Sequence, residues 1–317
     1  MRKLIKQFFE LESLSGILLF VMALLALLWA NSPFGYIYTQ WVGASLFWIN
    51  EVAMALFFLL VGLELKRNYL EGYLSSFSQV ALPAIGALGG MLIPALVYII
   101  ININHPELIK GWSTPVATDI AFALGVLMLF GKRIPEGLRL FLLMLAIFDD
   151  IGAIIIIALF YSHGFIHPSL IGFVVAMFIP GKTLEKKLHP WVAYLIMPIF
   201  ALANAGIAIQ GISFSTVILG VVLGLFIGKQ LGVFLFSWAM IKLGFAKLPH
   251  RSSWLELYGV SILCGIGFTM SLFLGTLSFK YDDVAIIDQV RLGVIIGSVV
   301  SGLLGALVLV IAKEKAK

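Results

Sequence analysis

Asp149 and Asp150 stand side by side in the middle of an apolar run from Leu138 to Phe160 that is long enough to cross a bilayer. A charged aspartate at a helix centre costs roughly 2.5 to 3.5 kcal/mol even on the lenient insertion scale, so a neighbouring pair marks a site for an ion or a proton. Two more ionisable residues, Asp119 and Lys229, fall near the centres of other apolar runs. Unpaired, the four groups would cost on the order of 10 kcal/mol or more. They must face one another, water or an ion. A buried Asp149–Lys229 pair that only fixes packing is an alternative reading of those two residues. It leaves Asp119 and Asp150 unexplained, because one lysine cannot neutralise three carboxylates.

The elements that must position these groups are membrane helices. The 317 residues are 61% hydrophobic and 12% charged, with a mean hydropathy of +1.08 that no soluble domain of this size tolerates. Windows of about 20 residues, the length needed to cross the hydrocarbon core, pick out ten spans. They cover residues 14–30, 44–63, 80–102, 112–130, 138–160, 166–180, 190–209, 216–239, 257–279 and 287–312, and the sixth is short. The net charge of +5 is distributed for topology rather than for nucleic acid. Of 21 Lys and Arg, 17 fall in the N-terminus (Arg2, Lys3, Lys6), in the even loops with Arg139 at the adjoining edge of span 5, and in the tail (Lys313, Lys315, Lys317), leaving only Lys110 and Lys280 in odd loops and Lys229 and Arg291 deeper within spans. By the positive-inside rule both termini are expected in the cytoplasm. Leu14 to Ala30 exceeds the apolar core of a signal peptide and lacks a clear cleavage site, so it is expected to be retained. The single Cys264 excludes an intramolecular disulfide and a thiolate metal cluster, and is read as a packing residue.

No linker divides the chain, so residues 1–317 are expected to form one integral membrane domain. Its interior looks twofold. Span 4 is interrupted near Thr114, Pro115, Thr118 and Asp119, and span 9 near Cys264, Gly265, Gly267 and Thr269. Each is the fourth helix of a five-helix half, and an odd number of helices per repeat inserts the second half upside down. Span 8 carries Gly220, Gly224, Gly228 and Gly232, and span 10 carries Gly293, Gly297, Ser301 and Gly305. Stripes of this kind let helix backbones approach closely.

The runs A-T-D-I-A-F-A-L-G-V-L at 117–127, L-A-I-F-D-D-I-G-A-I-I-I-I-A-L-F-Y at 145–161 and L-C-G-I-G-F-T-M-S at 263–271 resemble bacterial sodium/proton antiporters of the NhaA type. So do F-F-L-L-V-G-L-E-L-K-R at 57–67, H-P-W-V-A-Y-L-I-M-P at 189–198 and I-G-K-Q-L-G at 227–232. This family is itself among the examples on which the inverted-repeat rule rests, so the rule adds no independent support. The resemblance implies an all-α polytopic membrane protein of about ten transmembrane helices, arranged as two inverted five-helix repeats whose broken helices 4 and 9 cross at the midplane. It implies a core near 80–160 and 216–312, and a scaffold panel near 14–63 and 166–209. Asp150 matches the cation- and proton-binding carboxylate, Asp149 its neighbour, and Thr118 a polar cation ligand. Asp119 matches the carboxylate that compensates the positive half-helix N-termini. Lys229 matches the lysine that neutralises the facing negative helix ends or pairs with Asp149. Glu64, Glu185 and His167 match positions of pH response near helix ends.

The chain departs from the family pattern in places. Family members usually have twelve spans, whereas Tyr161 here passes almost directly to G-F-I-H-P-S-L-I-G, so two helices are missing. The loop from Asn31 to Gly43 is too short for the β-hairpin through which relatives dimerise, leaving a monomer, or a homodimer without that contact. Arg291 stands where a lysine is usual, and Glu51 where an aspartate is usual. The expected function is secondary active exchange of cytoplasmic Na⁺ or Li⁺ for external protons at Asp149 and Asp150, electrogenic and pH-regulated, in a bacterial inner membrane. No enzyme activity, cofactor or nucleic-acid partner is expected, and lipid is the surrounding medium. The alternatives are a sodium-coupled organic-anion carrier of the same ten-helix plan, an intramembrane aspartyl protease, and a cation channel.

Overall fold

The computed structural model describes residues 2–70, 77–162, 167–208, 214–279 and 284–314. Residues 163–166, Lys280, Lys315 and Lys317 lie outside the described residues, as do the side chains of Arg2, Lys3, Lys6, Lys182 and Lys313. Among the described residues the regular structure is helical, in a short 3₁₀ turn at Gly131–Arg133 and twelve main segments. These are α1 (Arg2–Ala30), α2 (Gly35–Leu70), α3 (Phe77–Ile101), α4 (Pro106–Val116), α5 (Ile120–Met128) and α6 (Glu136–Tyr161), then α7 (Pro168–Phe178), α8 (Thr183–Ala205), α9 (Thr216–Lys242), α10 (Trp254–Leu263), α11 (Phe268–Ser278) and α12 (Val284–Glu314). Six of them are long and apolar enough to cross a membrane. Two pairs, α4 with α5 and α10 with α11, meet the same test as broken spans bent by 45°. Leu14–Ala30 and Pro168–Phe178 are shorter apolar helices. The protein is an all-α polytopic membrane protein.

The outer faces show what solvent these helices expect. Val299, Leu303, Leu307 and Val310 recur at helical spacing along α12 and are exposed, an arrangement suited to lipid rather than water. Lipid provides no hydrophobic drive for helix association, so close backbone packing has to supply it.

Several boundaries differ from the sequence reading. Residues 35–43, expected as loop, are the first turns of α2, which continues through a π-helical stretch at Trp48–Ala53 without a breaking residue. The polar stretch before residue 190 is also helical, and Pro190 is accommodated inside it. The break in span 4 is narrower than expected, because Thr114 and Pro115 belong to a 3₁₀ segment that runs to Val116. The short span 6 is α7, 11 residues with Pro168 at its first position and Pro180 just past its end.

The chain divides into two units. The first comprises Met1–Gly16, Phe77–Asp150 and Phe214–Lys317. Within it the glycine stripe of α9 lies against α3. A Cβ on Gly228 would sit 2.6 Å from Pro94 Cα, and one on Gly232 would sit 2.1 Å from the Gly89 carbonyl oxygen. Gly232→Val is therefore expected to force the two backbones apart and lower stability by about 1–3 kcal/mol. Gly43→Ala is the control, since a Cβ there meets nothing within 4 Å. Detergent melting curves check the pair, and equal loss in both variants would refute the close-packing account.

The second unit comprises Ile17–Ser76 and Ile151–Ser213. There a Cβ on Gly172 of α7 would lie 2.1 Å from the Ala55 carbonyl of α2, so these helices also meet backbone to backbone. Asn50 and Asn204, both fully buried, exchange side-chain hydrogen bonds of 3.3 and 2.8 Å between α2 and α8. The exchange removes the cost of two buried amides.

Candidate ion site

Asp149 and Asp150 sit on α6 with relative exposures of 0% and 1%. Neighbours on a helix point about 100° apart, so the two carboxylates need not share partners. Asp149 turns its Oδ2 to Lys229 Nζ and to Thr118 Oγ1, each at 2.6 Å. Its Oδ1 has no hydrogen-bond partner among the described residues. Lys229 is completely buried, one residue beyond the π-helical stretch Gly224–Gly228 of α9. Gly90 of α3 packs beside it: a Cβ at that glycine would crowd a Val233 methyl at 2.8 Å and stand at ordinary contact distance, 3.6 Å, from Lys229 Nζ. The ammonium thus neutralises one of the three carboxylates, and that one is Asp149.

Asp119 is stabilised differently. It caps α5, with Oδ1 accepting from Phe122 N–H at 2.9 Å. Its Oδ2 accepts from Thr269 N–H at 3.1 Å, and from the Thr269 hydroxyl, at the start of α11. One carboxylate therefore faces two helix N-termini, whose aligned peptide dipoles supply the positive potential that a lysine would otherwise provide. The difficulty of one lysine and three carboxylates is relieved in part by backbone.

The two breaks are joined directly. Asp119 N–H donates to the Ile266 carbonyl at 2.7 Å, and the Thr118 hydroxyl lies 2.9 Å from the Cys264 carbonyl as well as close to Asp149. A hydroxyl has one proton, so Thr118 donates to one of these acceptors at a time and keeps lone pairs for another partner. Gly267 allows this approach, since a Cβ there would lie 3.0 Å from the Ala117 carbonyl oxygen of the first break, and Gly265 lets the second break sit against α9, where a Cβ would lie 2.4 Å from the Leu225 carbonyl oxygen. Cys264 is buried and free, and it is its carbonyl rather than its thiol that enters the site. The hard oxygens of Asp149, Asp150 and Thr118 are donors suited to a small hard cation. Among the described residues no group of three or more His, Cys, Asp or Glu has the geometry of a metal centre.

The remaining candidates lie in the second unit, each in an ionic or hydrogen-bonding pair. Glu185, 3% exposed, meets Arg67. Glu64 faces His189 Nε2 at 3.9 Å, and His167 Nε2 lies 3.2 Å from Glu51. Arg67, His189 and Glu51 were not foreseen as partners, although all stand in quoted motifs or departures. Arg291 pairs with Asp288 one turn back on α12, at 3.1 Å. Sequence reasoning also missed Ser298 of α12, whose hydroxyl accepts from Phe268 N–H at the second break. It stands beside the stripe of Gly293, Gly297, Ser301 and Gly305, and no motif marked it.

Residues 6–179 and 163–309 match the protein family described as Na⁺/H⁺ antiporter 1. The match divides at the place where two helices were read as missing. Na(+)/H(+) antiporter NhaA 2 of Pseudomonas syringae pv. syringae is 45% identical over 370 residues, covering 96% of this chain and 94% of the relative. Na(+)/H(+) antiporter NhaA 1 of Syntrophotalea carbinolica is 45% identical, with 95% and 94% covered. Na(+)/H(+) antiporter NhaA of Vibrio cholerae serotype O1 is 44% identical, with 96% and 97% covered. The first alignment, at 370 residues, is longer than the 317-residue chain, so the relative carries residues with no counterpart here. With similarity of this extent spanning both breaks and both aspartates, the chain belongs to the Na⁺/H⁺ antiporter 1 family.

Proposed function

We propose that this chain is a sodium/proton antiporter, a secondary transporter rather than an enzyme, that exchanges cytoplasmic Na⁺ or Li⁺ for external protons across a bacterial inner membrane. The observation that carries the reading is the buried assembly of Asp149, Lys229 and Thr118 against two joined helix breaks, in a chain of this family. Asp150 and Asp149 are the carboxylates that hold either a proton or the cation. Thr118 contributes a neutral oxygen, Asp119 stabilises the two helix ends, and Lys229 balances Asp149 when no cation is bound.

A carboxylate that holds a proton is a poor cation ligand, so a site opened in turn to each side exchanges the two ions by competition. No cofactor is needed. If two protons leave per Na⁺ bound, each cycle moves net charge, and a membrane potential of 100 mV contributes about 2.3 kcal/mol per charge. We assign the first unit to the transport core and the second to a scaffold panel, with both termini cytoplasmic. Glu64, Glu185 and His167 are assigned to pH response, because each faces a partner whose pairing depends on protonation or charge.

The test is a proteoliposome assay. An imposed Na⁺ gradient should drive a saturable pH change of opposite sense, Li⁺ should substitute, and an organic-anion gradient should not. Na⁺ flux without proton counterflow, or proton movement that requires an organic anion, would overturn the proposal.

A further inference from the structure

The second break is held from outside its own span. α11 begins after Gly267, whose lack of a side chain leaves the helix without a cap of its own. The contrast with other helices of this unit is direct. α5 is capped by Asp119, and α10 by Ser253, which forms a reciprocal capping box with Glu256. At α11 the first N–H, that of Phe268, donates instead to Ser298 Oγ on α12 at 3.1 Å, in a buried setting. The second N–H, that of Thr269, donates to Asp119. The positive end of α11 is thus shared between one carboxylate and one hydroxyl.

We infer that Ser298 is a positioning residue for the cation site, acting through the break Cys264–Gly267. This rests on the assignment of Asp149, Asp150 and Thr118 as cation ligands. The connection is a short chain of hydrogen bonds. Ser298 fixes Phe268 N–H; two residues earlier, the Ile266 carbonyl receives Asp119 N–H; two residues before that, the Cys264 carbonyl faces the Thr118 hydroxyl, which in turn reaches Asp149. A shift of the break therefore moves the Thr118 oxygen relative to the carboxylate beside it.

The same relation holds in both halves of this unit. The helix following each break returns a polar side chain to it, 31 residues on from Thr118 at Asp149 and 30 residues on from Phe268 at Ser298. In the first half that side chain is a carboxylate, and in the second it is a neutral hydroxyl. Removing the hydroxyl leaves Phe268 N–H as an unsatisfied donor in a buried setting, which is costly. The nearest relief is for the start of α11 to move further onto Asp119, loosening the contact that carboxylate makes with Phe122. Both effects act on the geometry around the cation ligands.

The experiment compares the parent, Ser298→Ala, Ser298→Thr and Ser301→Ala in proteoliposomes, with the Na⁺ concentration for half-maximal exchange as the readout. Ser298→Ala should raise that concentration roughly fivefold, the worth of one buried hydrogen bond, with a smaller change in maximal rate. Ser298→Thr, which keeps the hydroxyl, should restore most of the affinity. Ser301→Ala removes a buried hydroxyl one turn along the same helix that has no hydrogen-bond partner among the described residues, and should leave affinity unchanged. A parent-like value in Ser298→Ala, or a loss of thermal stability alone, overturns the inference. So does an equal loss of affinity in Ser301→Ala. If Ser298→Ala does not accumulate, Ser298→Cys takes its place with a weak sulfur acceptor, and a parent-like affinity there overturns it as well. Failure of the parent itself to exchange Na⁺ for protons would refute the antiport reading instead, so the two failures are distinct.

Discussion

Asp150→Asn is expected to reduce Na⁺-dependent proton movement in proteoliposomes to the background of empty vesicles while the protein remains inserted and folded. The amide preserves the shape of the side chain, so packing at this buried position is retained. It carries no charge and exchanges no proton near neutral pH, so it can neither compensate a cation nor alternate between two cargoes. Asp149 cannot substitute, because one of its oxygens is already engaged by Lys229 and Thr118. The assays needed are exchange rate, yield from membranes and melting temperature in detergent. Near-normal exchange by this variant, in vesicles where the parent is active, would remove Asp150 from the site.

The second large effect belongs to Lys229. Its ammonium and the Asp149 carboxylate are both completely buried and 2.6 Å apart. Removing one partner of such a pair leaves an uncompensated charge in a dry interior, at a cost of about 3–5 kcal/mol. Lys229→Ala should therefore melt far below the parent in detergent and lose exchange. Lys229→Arg keeps the charge and should retain much of the stability. A guanidinium, however, does not release its proton at any physiological pH, so the pH dependence of exchange should change if Lys229 takes part in the proton cycle. The decisive variant is Lys229→Ala combined with Asp149→Asn. With no charge left stranded, it should recover part of the stability lost by Lys229→Ala alone. Equal melting temperatures for Lys229→Ala and the parent would show that the pair contributes nothing.

These two residues also mark how far local pattern reaches. Asp149, Asp150, Asp119 and Lys229 were identifiable because the rule that exposes them is one-dimensional: an ionisable group in the middle of an apolar run is costly wherever the chain goes. The membrane class, the interrupted spans and the glycine stripes were readable for the same reason. Hydropathy, the small size of glycine and the lack of a helix-forming pattern at a break are properties of short windows. Boundaries were less certain. Residues 35–43 were read as loop because they are polar and aromatic, yet nothing in them opposes helix, and continuity with the apolar residues that follow carried the helix through.

The residues alone left partnership open, with a buried Asp149–Lys229 pair as one reading among others and the same pair offered again by the family resemblance. Three carboxylates competed for one lysine, and composition alone allowed any of them to win it. The choice of Asp149 depends on α6 and α9 bringing together residues 80 apart in the chain. Asp119 is satisfied by Thr269, 150 residues away, and by the N–H groups of a helix start, which no residue type advertises. Glu185 meets Arg67 across 118 residues, and Ser298, which no motif marked, supplies the cap that Gly267 cannot. The sequence by itself determined the environment, the helices, the positions of the breaks and the inventory of buried charge, since each follows from local transfer cost and backbone preference. Only the tertiary structure decided which charge faces which, because a buried ion pair or hydrogen bond depends on distances of a few ångströms between segments far apart in the chain.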